Sequence, residues 1–140
     1  MSPSLTTSAA GRAYDFSHVV GGRQITGAVN MAFGQDDDVY VTKKALAFFD
    51  VERLKIGIEP GDEEVVTSFK EVNPGFFDEG WPSCVAVAPN LDVYVTDELR
   101  DFVSVFDREG KFIRNIGEHG SQPGQFDRPS GIVFAEDGSF

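Results

Sequence analysis

The sequence predicts an all-β chain: a fragment of a β-propeller, built of four-stranded antiparallel blades and truncated in its third blade. Three observations carry this reading. The apolar runs Met31-Ala32-Phe33, Val85-Ala86-Val87-Ala88 and Ile132-Val133-Phe134-Ala135 are each followed by a turn rich in Asp, Asn or Gly. In the first two copies a period-two strand comes next, Val39-Tyr40-Val41 and Val93-Tyr94-Val95. Tyr40 and Tyr94 lie 54 residues apart, and Pro82 and Pro129 lie 47 apart. A repeat of about that length, with apolar strands separated by polar turns, is the pattern of propeller blades.

The elements follow in chain order. Met1 to Gly11 is rich in Ser, Thr and Ala and has neither a basic start nor an apolar centre, so it is not a signal peptide or a membrane span. Residues 1–13 are expected to be disordered, and residues 14–140 to form the partial propeller. Phe16-Ser17-His18-Val19-Val20-Gly21 matches Phe112-Ile113-Arg114-Asn115-Ile116-Gly117, which makes 14–21 an orphan outer strand.

Blade 1 is expected over 29–70. Its turn, Gln35 to Asp38, contains residues that tolerate left-handed geometry and bond their own backbone. Its third strand is expected at Leu46 to Asp50, matched to Phe102 to Asp107 because both close on Phe-Asp, and its fourth at Val65 to Phe69, after the acidic loop Gly57 to Glu64. Blade 2 is expected over 82–117 and ends on Phe112 to Ile116. The start of blade 3 occupies 129–140. Phe140 aligns with Val39 and Val93, so the chain ends at the first residue of a second strand, which predicts a truncation. Repeats contact chiefly their neighbours, so cut faces are expected to associate between copies.

The run Gly117-Glu118-His119-Gly120-Ser121-Gln122-Pro123-Gly124-Gln125-Phe126-Asp127-Arg128-Pro129-Ser130-Gly131-Ile132 resembles the NHL-repeat family, with its G-x-x-G, P-G-Q-F and P-x-G-I pieces. Val93 to Asp97 and Val103 to Asp107 look like the same family's second and third strands. The resemblance covers about Tyr14 to Phe140 and implies a propeller of usually six blades. Blade 1 departs from the pattern: Lys43-Lys44 stand where blade 2 has Asp97 followed by Arg100 and Asp101, in a connection expected to be three residues shorter.

The 140-residue chain has a net charge of −11. A nucleic-acid groove needs clustered Lys and Arg to neutralise phosphates, and none is present, so no nucleic-acid partner is expected. No membrane partner is expected either, and the compartment is cytoplasmic by default. The single cysteine, Cys84, cannot form an internal disulfide and reads as a small packed residue. His18 and His119 occupy different repeat positions, and neither has a companion at ligand spacing, so no metal site is expected.

Repeated residues build blades, and a functional site needs residues found once. On that criterion Asp78 and Asp127, each after a Phe in the interblade loop, read as structural groups bonded to backbone. The candidate ligand-binding residues at the channel mouth are Asn30, Glu79, Trp81, Ser83 and Ser130. Trp81, the only tryptophan, arrives with the insertion Glu79-Gly80-Trp81-Pro82; an aromatic there either anchors a ligand or, as such residues more often do, covers the channel mouth or packs between blades. The catalytic residues are unknown.

The resemblance implies a non-enzymatic scaffold that binds a protein or a small ligand through its loop surface, with no cofactor. The alternative is a divalent-cation-dependent hydrolase or lyase, gluconolactonase-like or amidating-lyase-like, in which a cation such as calcium would sit at the channel mouth and most site residues would lie in the missing blades. The lyase-like form is disfavoured because Ser83 and Ser130 stand where a histidine ligand would follow the inner-strand proline. No zinc module precedes the repeats, which leaves RNA-binding and ubiquitin-ligase proteins of this kind without support.

Overall fold

The computed structural model describes residues 6–9, 12–15, 25–45, 48–57, 59 and 61–140. They form ten strands and one short helix. The strands are β1 (Thr6–Ala9), β2 (Arg12–Asp15), β3 (Ala28–Phe33), β4 (Asp38–Ala45), β5 (Phe48–Lys55), β6 (Glu64–Ser68), β7 (Pro82–Val87), β8 (Val93–Asp97), β9 (Phe102–Phe106) and β10 (Phe112–Ile116); the helix α1 (Phe69–Val72) follows β6. β3-β4-β5-β6 and β7-β8-β9-β10 are two four-stranded antiparallel meanders, and β1-β2 is a separate two-stranded pair. The chain is all-β, as the alternating pattern predicts, and its sheets are not closed into a ring.

The repeat is visible in backbone bonds. Gly34 N–H donates to the Asp38 carbonyl at 2.8 Å, Ala88 N–H to Asp92 at 2.9 Å, and Ala135 N–H to Ser139 at 2.8 Å. These are equivalent positions, so all three copies close the same turn. The third copy is nonetheless not a strand: residues 132–135 have no ladder partner among the described residues, and strand structure exists only where a neighbour takes up its backbone groups.

Thr6–Ala9 pairs with Arg12–Asp15 in register Thr6 to Asp15 and Ala9 to Arg12, and the β-branched Thr6 and Thr7 favour extended backbone. Of the expected orphan strand at 14–21, residues 16–21 lie outside the described residues. Three expectations are corrected. First, the Phe-Asp match misplaces the third strand. Val39 pairs with Leu54 and Val93 with Phe106, so Leu54, not Phe49, is the equivalent of Phe106, and Asp50 lies inside β5.

Second, the β4–β5 connection is shorter than the β8–β9 connection by two residues rather than three: residues 46–47 join β4 to β5, and 98–101 join β8 to β9. The first ladder runs on past Lys43 and Asp50 to the pair Ala45 and Phe48, whereas the second ends at Asp97 and Phe102. Third, the outer strand of the first sheet stops at Ser68. The Ser68 hydroxyl accepts Glu71 N–H at 3.2 Å as an N-cap, turning Phe69 into a helical turn rather than a strand end.

The core lies between the two sheets. Tyr40 and Val51 from the first, with Phe69 of α1, pack on Val85, Val93, Val95 and Phe106 of the second, with Phe77 from the connection between them. Phe106 is the hub: its ring centroid is 5.2 Å from Phe69, 5.3 Å from Phe76, and 5.9 Å from both Phe77 and Phe112. Residues Asp38 to Lys43 of β4 are buried without a break, because both faces of this strand are covered. A second cluster joins Tyr94, Val103 and Val105 to Phe126, Ile132 and Phe134, so the third copy packs on the far face of the second sheet.

Polar groups tie the sheets at their edges. The Asp38 carboxylate is fully buried and receives Arg53 Nε at 2.8 Å from its own sheet and Arg108 Nη2 at 2.7 Å and Nε at 3.1 Å from the other. Lys55 Nζ lies 3.2 Å from its other oxygen. Burial raises the carboxyl's proton affinity, but the bonds from Arg108, Lys55 and Arg53 outweigh it and hold Asp38 below the ordinary carboxylate range. No helix of the described residues is long and apolar enough to cross a membrane.

Candidate functional site

At one end of the second sheet the β8–β9 loop (98–101), the insertion that brings in Trp81, and the loop 117–128 surround a cleft of about 510 Å³. It is lined by Trp81, Glu98, Leu99, Asp101, His119, Asp127 and Arg128. Its walls are built from local bonding. Asp97, at the end of β8, is buried, and its Oδ1 accepts the N–H groups of Trp81, Leu99 and Arg100, each at 3.0 Å. One carboxylate oxygen therefore caps the loop and seats the tryptophan. Trp81 O in turn accepts Glu98 N–H at 3.1 Å.

The second wall is the P-G-Q-F loop. Phe126 N–H donates to Glu118 O at 2.8 Å and Gly120 N–H to Phe126 O at 2.9 Å, folding the segment back on itself. Gln125 Nε2 reaches Glu118 Oε1 at 3.0 Å while its Oε1 accepts Gln122 N–H at 3.1 Å. Gly117 (φ +84°) starts the turn, and a Cβ there would lie 2.4 Å from the Phe126 ring; only glycine admits both the backbone angle and the ring. These contacts account for the Gly, Gln and Phe of that run.

The two walls meet at Asp101, held at φ +57°. Its Oδ1 accepts Arg128 N–H at 2.6 Å, and its Oδ2 lies 2.9 Å from His119 Nδ1. The Arg128 amide first, with the His119 bond after it, keeps Asp101 below the usual carboxylate range and so ionised. Asp127 completes the group: one donor atom from each of Asp101, His119 and Asp127 lies within 4.8 Å of the others. Arg128 turns its guanidinium outward to Glu98, with Nη2 to Oε2 at 3.6 Å.

This placement corrects two sequence expectations. His119 is expected to stand without companions, yet it has two carboxylates beside it, one from a different loop and one eight residues on that the turn brings back. Asp127 and its counterpart Asp78 are both expected to bond backbone, yet Asp127 lines the cleft, and the Asp78 carboxylate accepts Lys70 Nζ at 2.9 Å. A sequence signal for Asp127 did exist in the turn glycines and Pro123 between it and His119; none existed for Asp101, whose approach depends on how the two loops pack.

The five sequence candidates separate. Trp81 lines the cleft, with its ring 5.4 Å from Phe49 and the Lys44 ammonium 3.9 Å from its centroid. Burial, partly offset by Glu98 and Asp97, holds the Lys44 amine below its ordinary value. Ser83 stands at the edge and donates to Glu98 Oε1 at 2.5 Å. Glu79 is exposed in the insertion. Asn30 is engaged between the sheets, its Oδ1 accepting Val85 N–H at 3.1 Å and the Cys84 thiol at 3.3 Å. The Ser130 carbonyl accepts the Thr96 hydroxyl at 3.0 Å, tying the third copy to β8.

No protein-family model matches this chain, and no curated protein matches it.

Proposed function

We propose that the chain is a non-enzymatic binding module, a run of NHL-like propeller blades whose loop-end cleft takes a protein segment or a small ligand. The observation that carries this reading is the cleft's chemistry. Trp81 is 42% exposed and Leu99 64% exposed, and both line a concavity otherwise made of charged and titratable groups. A concave site with a few apolar anchors among convergent polar groups is the ordinary form of a ligand site, and a half-exposed Trp is the residue type on which binding energy concentrates.

The blade reading draws support from the two meanders of identical order, from the turn bond repeated in three copies, and from the face-to-face packing of the sheets. Loops carried at one end of such sheets vary freely while the strands hold them in place. The test is a fragment and peptide screen read by amide chemical shifts. Binders are expected to perturb residues 97–101, Trp81 and 117–128, and Leu99→Asn, at an exposed position, is expected to weaken them at least tenfold without changing the melting temperature. Binders that perturb only β3 or β6 would refute it.

A further inference from the structure

We propose that Asp101, His119 and Asp127 form a binding site for a transition-metal dication of the zinc class, with one coordination position open toward the cleft. This deepens the binding reading above and rests on it only for its place in the fold. Three features argue for it. The donor set is one imidazole and two carboxylates, which suits zinc and its neighbours; calcium asks for six to eight oxygens, more than this group offers.

The donors are also close enough. Tetrahedral ligands at zinc distances stand roughly 3.4 Å apart, so a group already within 4.8 Å must contract by little more than about 1 Å. His119 and Asp127 are exposed and able to rotate, while Asp101 is the fixed point, its Oδ1 bonded to the Arg128 amide and its side chain only 16% exposed. The third feature is the fate of the nearest cation. Among the described residues neither Asp101 nor Asp127 is ion-paired with Lys or Arg, and Arg128 directs its guanidinium to Glu98. The two carboxylates beside the imidazole thus have no Lys or Arg ion pair, and Arg128 acts on Asp101 through its amide and at longer range.

Three protein ligands leave a fourth position for a donor atom of whatever enters the cleft, as in zinc sites that keep one position open. The metal would then select ligands bearing a carboxylate, imidazole or thiolate next to an apolar portion that packs on Trp81 and Leu99.

The experiment is zinc titration of the untagged 140-residue chain against a chromophoric zinc indicator, with long-range 15N spectra of the two histidines. The expected result is one zinc per chain, with the His119 imidazole shifted and the His18 imidazole unchanged. His119→Ala and Asp127→Asn, both at exposed positions, should each lower the affinity at least tenfold with an unchanged melting temperature, and calcium at the same concentration should not compete. Zinc uptake unaffected by either substitution, or a shift confined to His18, would overturn the site. Loss of zinc binding with cleft fragments still bound would overturn the metal and spare the binding reading; fragments that bind elsewhere while zinc still shifts His119 would do the reverse.

Discussion

Asp38 sits in what reads as an ordinary acidic turn, and replacing it with asparagine should expose how much the packing of one sheet on the next depends on it. The wild-type carboxylate has no exposed surface and meets three cations, Arg53, Lys55 and Arg108, the last from the other sheet. Asn keeps the shape and one acceptor oxygen but removes the charge and turns an amide N–H₂ toward guanidinium groups. Breaking a buried pair by removing one partner costs about 3–5 kcal/mol. The side chains of Arg53, Lys55 and Arg108 remain 11%, 41% and 25% exposed, so they regain hydration, and the loss belongs at the lower end, about 3 kcal/mol.

At roughly 2–4 °C per kcal/mol for a chain near this size, the melting temperature should fall by about 6–12 °C. Circular dichroism melts and urea titrations of both proteins at neutral pH measure it, with the exposed neighbour Asp37→Asn as a control expected within about 0.5 kcal/mol of wild type. The pH dependence has a definite sign. Asp38 is held below its unfolded value, so its contribution is present above about pH 4 and is lost as the pH falls through the lower folded value. The gap between wild type and Asp38→Asn should therefore narrow on acidification below about pH 4. A variant as stable as wild type at neutral pH, or a gap that widens in acid, would refute the reasoning.

Two further substitutions probe the same interface. Gly110 adopts φ +84°, and a Cβ there would lie 2.5 Å from the Phe69 ring, so Gly110→Ala should cost about 2–4 kcal/mol in urea unfolding. Asn73 donates to the carbonyls of Phe69 and Gly110, each at 2.7 Å, and accepts Phe112 N–H at 3.1 Å, so it joins the end of the first sheet to the β9–β10 hairpin. Asn73→Ala should lose about 2 kcal/mol and speed amide exchange at Phe112.

The strands were largely legible because their signal is local. Val93-Tyr94-Val95 and Phe112 to Ile116 are rich in β-branched and aromatic residues, and the structure places strands there. Register is a pairwise property, which is why the recurring Phe-Asp dipeptide misplaced β5: only the ladder reveals that Leu54 takes the position of Phe106. The N-terminal pair β1-β2 escaped for a related reason, since its short polar strands carry no apolar face to advertise them.

The site was less legible than the fold. Trp81 was readable because it is unique and arrives in an insertion. Asp101 was not, because a carboxylate in a four-residue loop and a histidine 18 positions later become neighbours only once Asp97 has capped one loop and Gln125 has braced the other. Asn30 misled in the opposite sense. It is one of a kind among the repeats, and its oxygen is engaged by Val85 N–H, so being unique reflected packing between the two sheets.

The claim that the loop-end cleft is the ligand site is tested most directly at Trp81. As the only tryptophan of the chain it can be replaced biosynthetically with 5-fluorotryptophan to yield one 19F resonance inside the cleft. A fragment library containing aromatic carboxylates and imidazoles, added with and without zinc, should yield binders that shift this resonance saturably, and Leu99→Asn should raise the concentration needed for the shift at least tenfold. Binders whose saturation by amide shifts leaves the 19F resonance unmoved would contradict the account.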